Sequence, residues 1–80
     1  GLAYPNPTNQ IINLEYSIPT GSNSGQIEIS DINGNILNTY IVDNTFSTLS
    51  LDITNFSTGT YFYKMIVNGN VSETKSFIKQ

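Results

Sequence analysis

The sequence predicts an all-β fold, an antiparallel β-sandwich or a small barrel of six to seven strands. Three observations carry this. Apolar residues recur with a period of two almost throughout the chain. Turn-forming residues interrupt that alternation roughly every 8–12 residues. No apolar stripe at three-and-four spacing survives long enough for a helix, and β-branched and aromatic residues dominate.

Residues 2–4 offer a short first strand. Ile12, Leu14, Tyr16 and Ile18 then alternate with Asn13, Glu15 and Ser17, the pattern of a half-buried strand. Pro19, Thr20 and Gly21 stop it, and residues 21–25 (GSNSG) read as a flexible loop. Ile27 and Ile29 alternate with Gln26, Glu28 and Ser30. Asn33-Gly34 follows, a pair that tolerates the positive φ of a type I′ turn. Residues 36–42 should therefore run antiparallel to the strand before them.

Asp43, Asn44 and Thr45 make another turn. Leu49, Leu51 and Ile53 alternate with Thr48, Ser50 and Asp52, and residues 54–59 form a loop. Tyr61, Tyr63, Met65 and Val67 line one face of the next strand; Thr60, Phe62, Lys64 and Ile66 line the other. Apolar groups on both faces predict a central strand. Asn68-Gly69-Asn70 then reverses the chain into a last strand over 71–79.

The 80 residues make one domain, 1–80, with a lead-in segment over 1–9 and the sandwich over 10–80. A domain this small buries somewhat over ~60% of its unfolded surface, and many such domains add disulfides or a metal. This chain has no cysteine and no histidine, which excludes disulfides and the usual zinc sites. No cofactor is expected. Lys64, Lys75 and Lys79 are the only cations against six acids, a net charge of -3. That balance excludes the basic stripe a nucleic-acid binder needs. No apolar run is long enough to span a membrane. The chain does not begin with Met, so Gly1 is expected to mark a cut from something longer.

Catalysis finds no support. General acid–base chemistry needs paired groups in a pocket, and the acids sit singly. No His or Cys is present to activate a nucleophile. Asp31 to Asn35 has the flavour of a calcium loop, but Gly34 stands fourth where the helix-flanked loop needs it sixth, so a hairpin turn is the better reading. Asn55-Phe-Ser and Asn70-Val-Ser match the glycosylation pattern, as chance allows in a chain rich in Asn, Ser and Thr. Tyr16, Tyr61 and Tyr63 fall on apolar faces and read as core rather than a sugar platform; the pattern does not place Tyr40. The closing Lys75-Ser-Phe-Ile-Lys79 reads equally as an edge strand protected by lysines or as a strand offered to a partner.

In order, the chain shows Tyr4-Pro5-Asn6-Pro7, a strand, Asp31-Ile-Asn33-Gly34 between two strands, Leu51-Asp-Ile, Gly59-Thr-Tyr61, an Asn-Gly turn at Gly69, and a lysine-bearing terminal strand. This series resembles the type A C-terminal sorting domain of cargo proteins of the type IX (Por) secretion system of Bacteroidota, over essentially the whole chain. The resemblance implies a seven-stranded, immunoglobulin-like antiparallel sandwich that serves as a non-catalytic address tag. An upstream cargo domain in the same chain would reach the periplasm by its own signal peptide. It would then cross the outer membrane through the type IX translocon, with shuttle and sortase proteins as further partners. A surface sortase would remove the tag at or before Gly1, and the cargo would be released or anchored. Ser76 stands where many relatives carry another cation.

On that reading recognition is expected at the terminal hairpin, used as an exposed edge, with Lys75, Phe77, Ile78, Lys79 and Gln80 as the contact residues. A free edge strand also predicts weak dimers in concentrated solution. Pro5 and Pro7 are expected to fix φ and hold Tyr4 and Asn6 extended, giving a stiff junction to the linker. Gly59 is expected to permit a tight approach to the central strand. The alternative function is a structural or carbohydrate-binding β-sandwich module of a secreted multidomain protein.

Overall fold

A computed structural model describes residues 2–80, and over that span the chain is all-β. Gly1, the expected cut, lies outside the described residues. The strands are β1 (Ala3–Tyr4), β2 (Ile11–Glu15), β3 (Ser24–Ser30), β4 (Ile36–Asp43), β5 (Thr48–Asp52), β6 (Gly59–Val67), β7 (Asn70–Val71) and β8 (Lys75–Lys79). They form two antiparallel sheets. One has the order β1-β2-β5; the other runs β4-β3-β6, with β7 and β8 both paired to β6.

The period-two pattern does what it predicts. Ile12 and Leu14 of β2, Leu51 of β5 and Ile53 beyond it face Ile27, Ile29, Val42, Tyr61, Tyr63 and Phe77 of the other sheet. Phe77, Ile12, Leu14, Ile29 and Ile53 are completely buried. Strand β6 is central, with β3 on one side and β7 and β8 on the other. Tyr16 and Tyr40 pack against the core. On the outer face Lys64 Nζ stands 3.8 Å from Glu28 Oε1 across the β3–β6 ladder, a surface pair that adds little stability.

The Gly59-Thr-Tyr61 stretch works as a corner. Gly59 opens β6 at φ +152°, where a side chain would be strained. Two residues on, the Tyr61 hydroxyl donates to the Ser57 carbonyl at 2.7 Å. This is the arrangement of a tyrosine corner, in which a ring at the start of a strand hooks the loop before it. The Tyr61 ring also packs on Phe56 at 4.9 Å and on Phe77 at 5.7 Å. One side chain therefore ties the loop after β5, strand β6 and strand β8 together.

The two Asn-Gly pairs adopt different turns. Asn68 and Gly69 both have positive φ, the type I′ hairpin expected, and Val67 faces Asn70 directly. At the first pair only Gly34 is positive. Gly34 N donates to the Asp31 carbonyl at 3.1 Å and Asp31 N donates to the Asn35 carbonyl at 3.0 Å. This is a type I turn followed by a left-handed glycine, the three-residue alternative to type I′. The Asp31 side chain selects it. Its Oδ1 accepts from Asn33 N and Asn35 N, both at 2.9 Å, and its Oδ2 from Asn35 Nδ2 at 3.1 Å. Here an aspartate side chain accepts from amides two and four residues on, its usual role at a reversal.

Two expectations need correction. The last strand is not continuous over 71–79, which raises the strand number to eight. Val71 faces Ile66 but Lys75 faces Tyr63, so residues 72–74 stand against only 64 and 65. At this bulge the Ser72 hydroxyl accepts from Met65 N at 2.8 Å while Ser72 N donates to the Met65 carbonyl. A one-residue slip exchanges the two faces of a strand. It turns Phe77 into the core although Val71, of the same parity, faces out.

Second, Gly25 belongs to β3 and not to the flexible loop. A Cβ there would lie 2.7 Å from Val67 Cγ2 and 3.0 Å from the Ile66 carbonyl, so the strands approach too closely for any side chain.

Both glycines give stability tests. Gly25→Ala should cost about 1–3 kcal/mol by overpacking, and Gly59→Val about 1–3 kcal/mol by backbone strain. Each kilocalorie should lower the melting temperature of a domain this size by about 4–8 °C. Calorimetry that finds either melt unchanged removes the corresponding role.

Candidate functional site

The terminal strand β8 has two unlike faces. Lys75, Phe77 and Lys79 stand opposite Tyr63, Tyr61 and Gly59 and point inward. Phe77 is completely buried, Lys79 is 8% exposed, and the Lys79 ammonium donates to the Gln80 carbonyl at 3.1 Å. Its methylene stem lines the end of the core while the charge finds a carbonyl at the rim. Ser76 and Ile78 point outward, opposite Phe62 and Thr60, and Ile78 is 46% exposed. Gln80 is exposed.

The outer edge of β8, expected to be open, is closed near its end by residues 6–8. Ile78 N donates to Asn6 Oδ1 at 2.9 Å. Thr8 N donates to the Ile78 carbonyl at 3.0 Å, and Gln80 N donates to the Thr8 carbonyl at 2.7 Å. Thr8 is itself buried, and its hydroxyl donates to the Ile11 carbonyl at 2.6 Å.

The lead-in segment is thus part of the fold. Tyr4–Pro5 and Asn6–Pro7 are cis peptide bonds, and residues 5–7 bend instead of running extended. Before the bend, β1 pairs with β2, and Leu2 N donates to Glu15 Oε1 at 3.1 Å. Sequence reasoning saw the stiff motif but missed Thr8, a buried threonine whose only signal was its place after Pro7. Asn6 was visible as a motif member without a contact to explain it.

Beside the bulge lies a cleft of about 260 Å³. Ile27, Tyr63 and Met65 line it together with Glu15, Tyr16 and Lys75. Burial is the main force that raises the Tyr63 phenol above its ordinary range; the Lys75 charge lowers it and Glu15 raises it. Tyr16 is raised by burial first and by the Asp43 charge second. Its hydroxyl donates to the Asp43 carbonyl at 3.0 Å.

Among the described residues no cluster of three or more His, Cys, Asp or Glu could hold a metal. Asp31, the calcium-loop candidate, spends its carboxylate on the amides of its own turn. Of the motif residues, Asp31, Asn33 and Gly34 lie in the β3–β4 turn and Gly69 in the β6–β7 turn, at a distance in sequence from the laced ends. Gly59 and Tyr61 do meet β8, through the registers to Lys79 and Phe77.

The chain belongs to the secretion system C-terminal sorting domain family, whose model matches residues 2–80. It is a C-terminal sorting signal for type IX secretion, and it goes with export across the outer membrane to the cell surface or the extracellular space. The family acts through the secretion machinery and is generally non-catalytic. No curated protein matches the chain.

Asn6→Ala should leave Ile78 N without its acceptor, at about 1 kcal/mol. Hydrogen exchange should speed at Ile78 and Gln80 and leave Tyr63 as slow as before. Equal exchange at Ile78 in variant and parent would show that the lacing carries no stability.

Acid should weaken the domain through two turns. Hydrogen bonds from Asn35, backbone first and then side chain, hold the Asp31 carboxyl below its ordinary range. The Thr54 hydroxyl and amide do the same for Asp52. Lowered folded values mean stability present above the unfolded value of about 3.9 and lost as pH falls through the folded ones. The melting temperature should fall below about pH 4, and Asp31→Ala should start lower at neutral pH and fall less steeply. A parallel fall in parent and variant would remove Asp31 from this account.

Proposed function

We propose that the secretion machinery reads this signal at the terminal strand, and only when the domain is folded. The carrying observation is the lacing of Ile78 and Gln80 to Asn6 and Thr8. It joins the end of the signal to the segment nearest the upstream cargo, so one folded surface reports on both ends. Ile78 and Gln80 supply the contact, with Phe62 on the neighbouring strand and Lys75 at the rim of the cleft. Phe77 and Lys79 position the strand from inside. The domain itself is non-catalytic. Translocon and shuttle proteins recognise it, and a surface sortase then cuts upstream of Leu2.

The sugar-binding alternative has no such support. Tyr61 and Tyr63 are buried, and Tyr16 and Tyr40 pack against the core, so these rings form no exposed platform.

An export assay tests the proposal. Residues 1–80 are fused to a periplasm-targeted fluorescent reporter in a bacterium with the type IX machinery. Beside it run a fusion ending at Glu73 and an Ile78→Asp variant, whose exposed outward site should tolerate the charge. The parent should reach the surface or medium, and both others should stay periplasmic. Export of Ile78→Asp at the parent rate would refute contact at this face. Retention of the folded parent would refute sorting in that host.

A further inference from the structure

The two edges of the larger sheet are treated in opposite ways. At one edge β8 is capped by residues 6–8 and carries Lys75 and Lys79. At the other, β4 runs for 8 residues and, among the described residues, pairs only with β3. It contains no proline and no lysine, its one charge is Asp43 at the end, and Leu37 forms a bulge near its start, between the pairs Ile29–Asn38 and Ser30–Ile36. Ile36 is 60% exposed, Leu37 42% and Ile41 77%. Natural sheets blunt such an edge with lysine, proline, a bulge or a cover, or else they use it; here the bulge lies at the start, and residues 38–43 pair with β3 in unbroken register.

The hydrogen-bond phase of β4 is fixed. Asn44 N donates to the Asn23 carbonyl in the same register as the β3–β4 ladder. Alternate residues Val42, Tyr40 and Asn38 therefore bond to β3. The amides and carbonyls of Thr39 and Ile41 and the amide of Asp43 point away from the sheet, while the Asp43 carbonyl is taken by the Tyr16 hydroxyl at 3.0 Å. Next to the start of this edge opens a groove of about 720 Å³, lined by Ile32, Leu37, Phe56 and Tyr61, with Asp31 at its rim. A free row of backbone groups beside an apolar groove is what strand addition requires, the backbone for affinity and the groove for alternate side chains.

Charge selects the occupant. Asp43 stands at one end of the edge and Asp31 lines the groove; both carboxylates accept from their own turns, so they act on an occupant through their charge and not as free acceptors. All the lysines lie on β6 and β8. A second copy of this chain, at net charge -3, would bring no cation to either aspartate through its own β4.

We propose that the β4 edge is a docking site for an extended peptide strand with alternating apolar residues and a lysine or arginine at each end. This goes beyond the terminal-strand reading and does not rest on it. Peptide binding in solution and export in cells are separate measurements, and either can fail alone.

The probe is the peptide Lys-Val-Thr-Val-Thr-Val-Lys, titrated into the isotope-labelled domain and followed by amide chemical shifts. Shifts should concentrate at Thr39, Ile41 and Asp43, with smaller ones at Leu37 and Phe56. Glu in place of both terminal Lys should weaken binding by about tenfold. Ile41→Pro should abolish binding, because it removes an outward N–H that the fold does not use. Ile41→Lys, at an exposed site, is the second variant should the proline unfold the chain. It should weaken the Lys-ended peptide and strengthen the Glu-ended one.

Shifts centred on Ser76 and Ile78, no shifts at all, or parent affinity in the folded variants would each overturn the proposal. So would sedimentation showing a dimer whose Thr39 and Ile41 amides are already protected, since the occupant would then be a second copy.

Discussion

The closure of the β8 edge by residues 6–8 is the constraint on which the rest depends. An 80-residue chain without cysteine has to hold its last strand by packing and hydrogen bonds, without a disulfide. Phe77 supplies the packing, the β6 ladder the bonds on one side, and Asn6 and Thr8 those on the outer edge. Phe77 and the edge residues act at different depths. Phe77 fixes which face of the strand is inside, while Asn6 and Thr8 fix where its end lies. Neither does the other's work, because a buried ring does not satisfy an edge amide and an edge amide does not choose a face.

Tyr61 extends this closure into the sheet. Its ring lies between Phe56 and Phe77, and its hydroxyl fixes the loop that leads into β6. The chain of contacts runs from the loop after β5 through Tyr61 and Phe77 to β8, and from Ile78 to Asn6. Stability of the ends and stability of the core are for that reason linked.

Strand positions were legible because alternation is a property of neighbours in sequence. Ile12 and Leu14, or Ile27 and Ile29, announce their face without help from elsewhere. The bulge at Ser72 was not legible as such, since nothing within residues 71–79 states which partner residue is skipped. Its trace was that Val71 and Phe77 share a parity and yet face opposite ways, a conflict that only a slip resolves. Gly25 was hidden for a related reason. Its role lies in the approach of Val67, 42 residues on, and the surrounding Ser and Asn imitate a loop. The Asn33-Gly34 pair was read correctly as a reversal and wrongly as type I′. The deciding group was the Asp31 carboxylate ahead of it. Asn6 shows the limit most clearly. Its partner, Ile78, stands almost a full chain length away.

Edge chemistry gives the fold a direction. Cations, cover and an inward lysine gather at β8, the edge beside the lead-in segment, and none of them reaches β4. If protection against sheet-to-sheet pairing were the only pressure, the longer and more apolar edge would carry the lysines, because it offers more unpaired backbone and more exposed apolar area. The opposite holds. The lysines stand on the strand that is capped near its end, and β4 carries only the bulge at Leu37, an asymmetry that fits the docking edge proposed above.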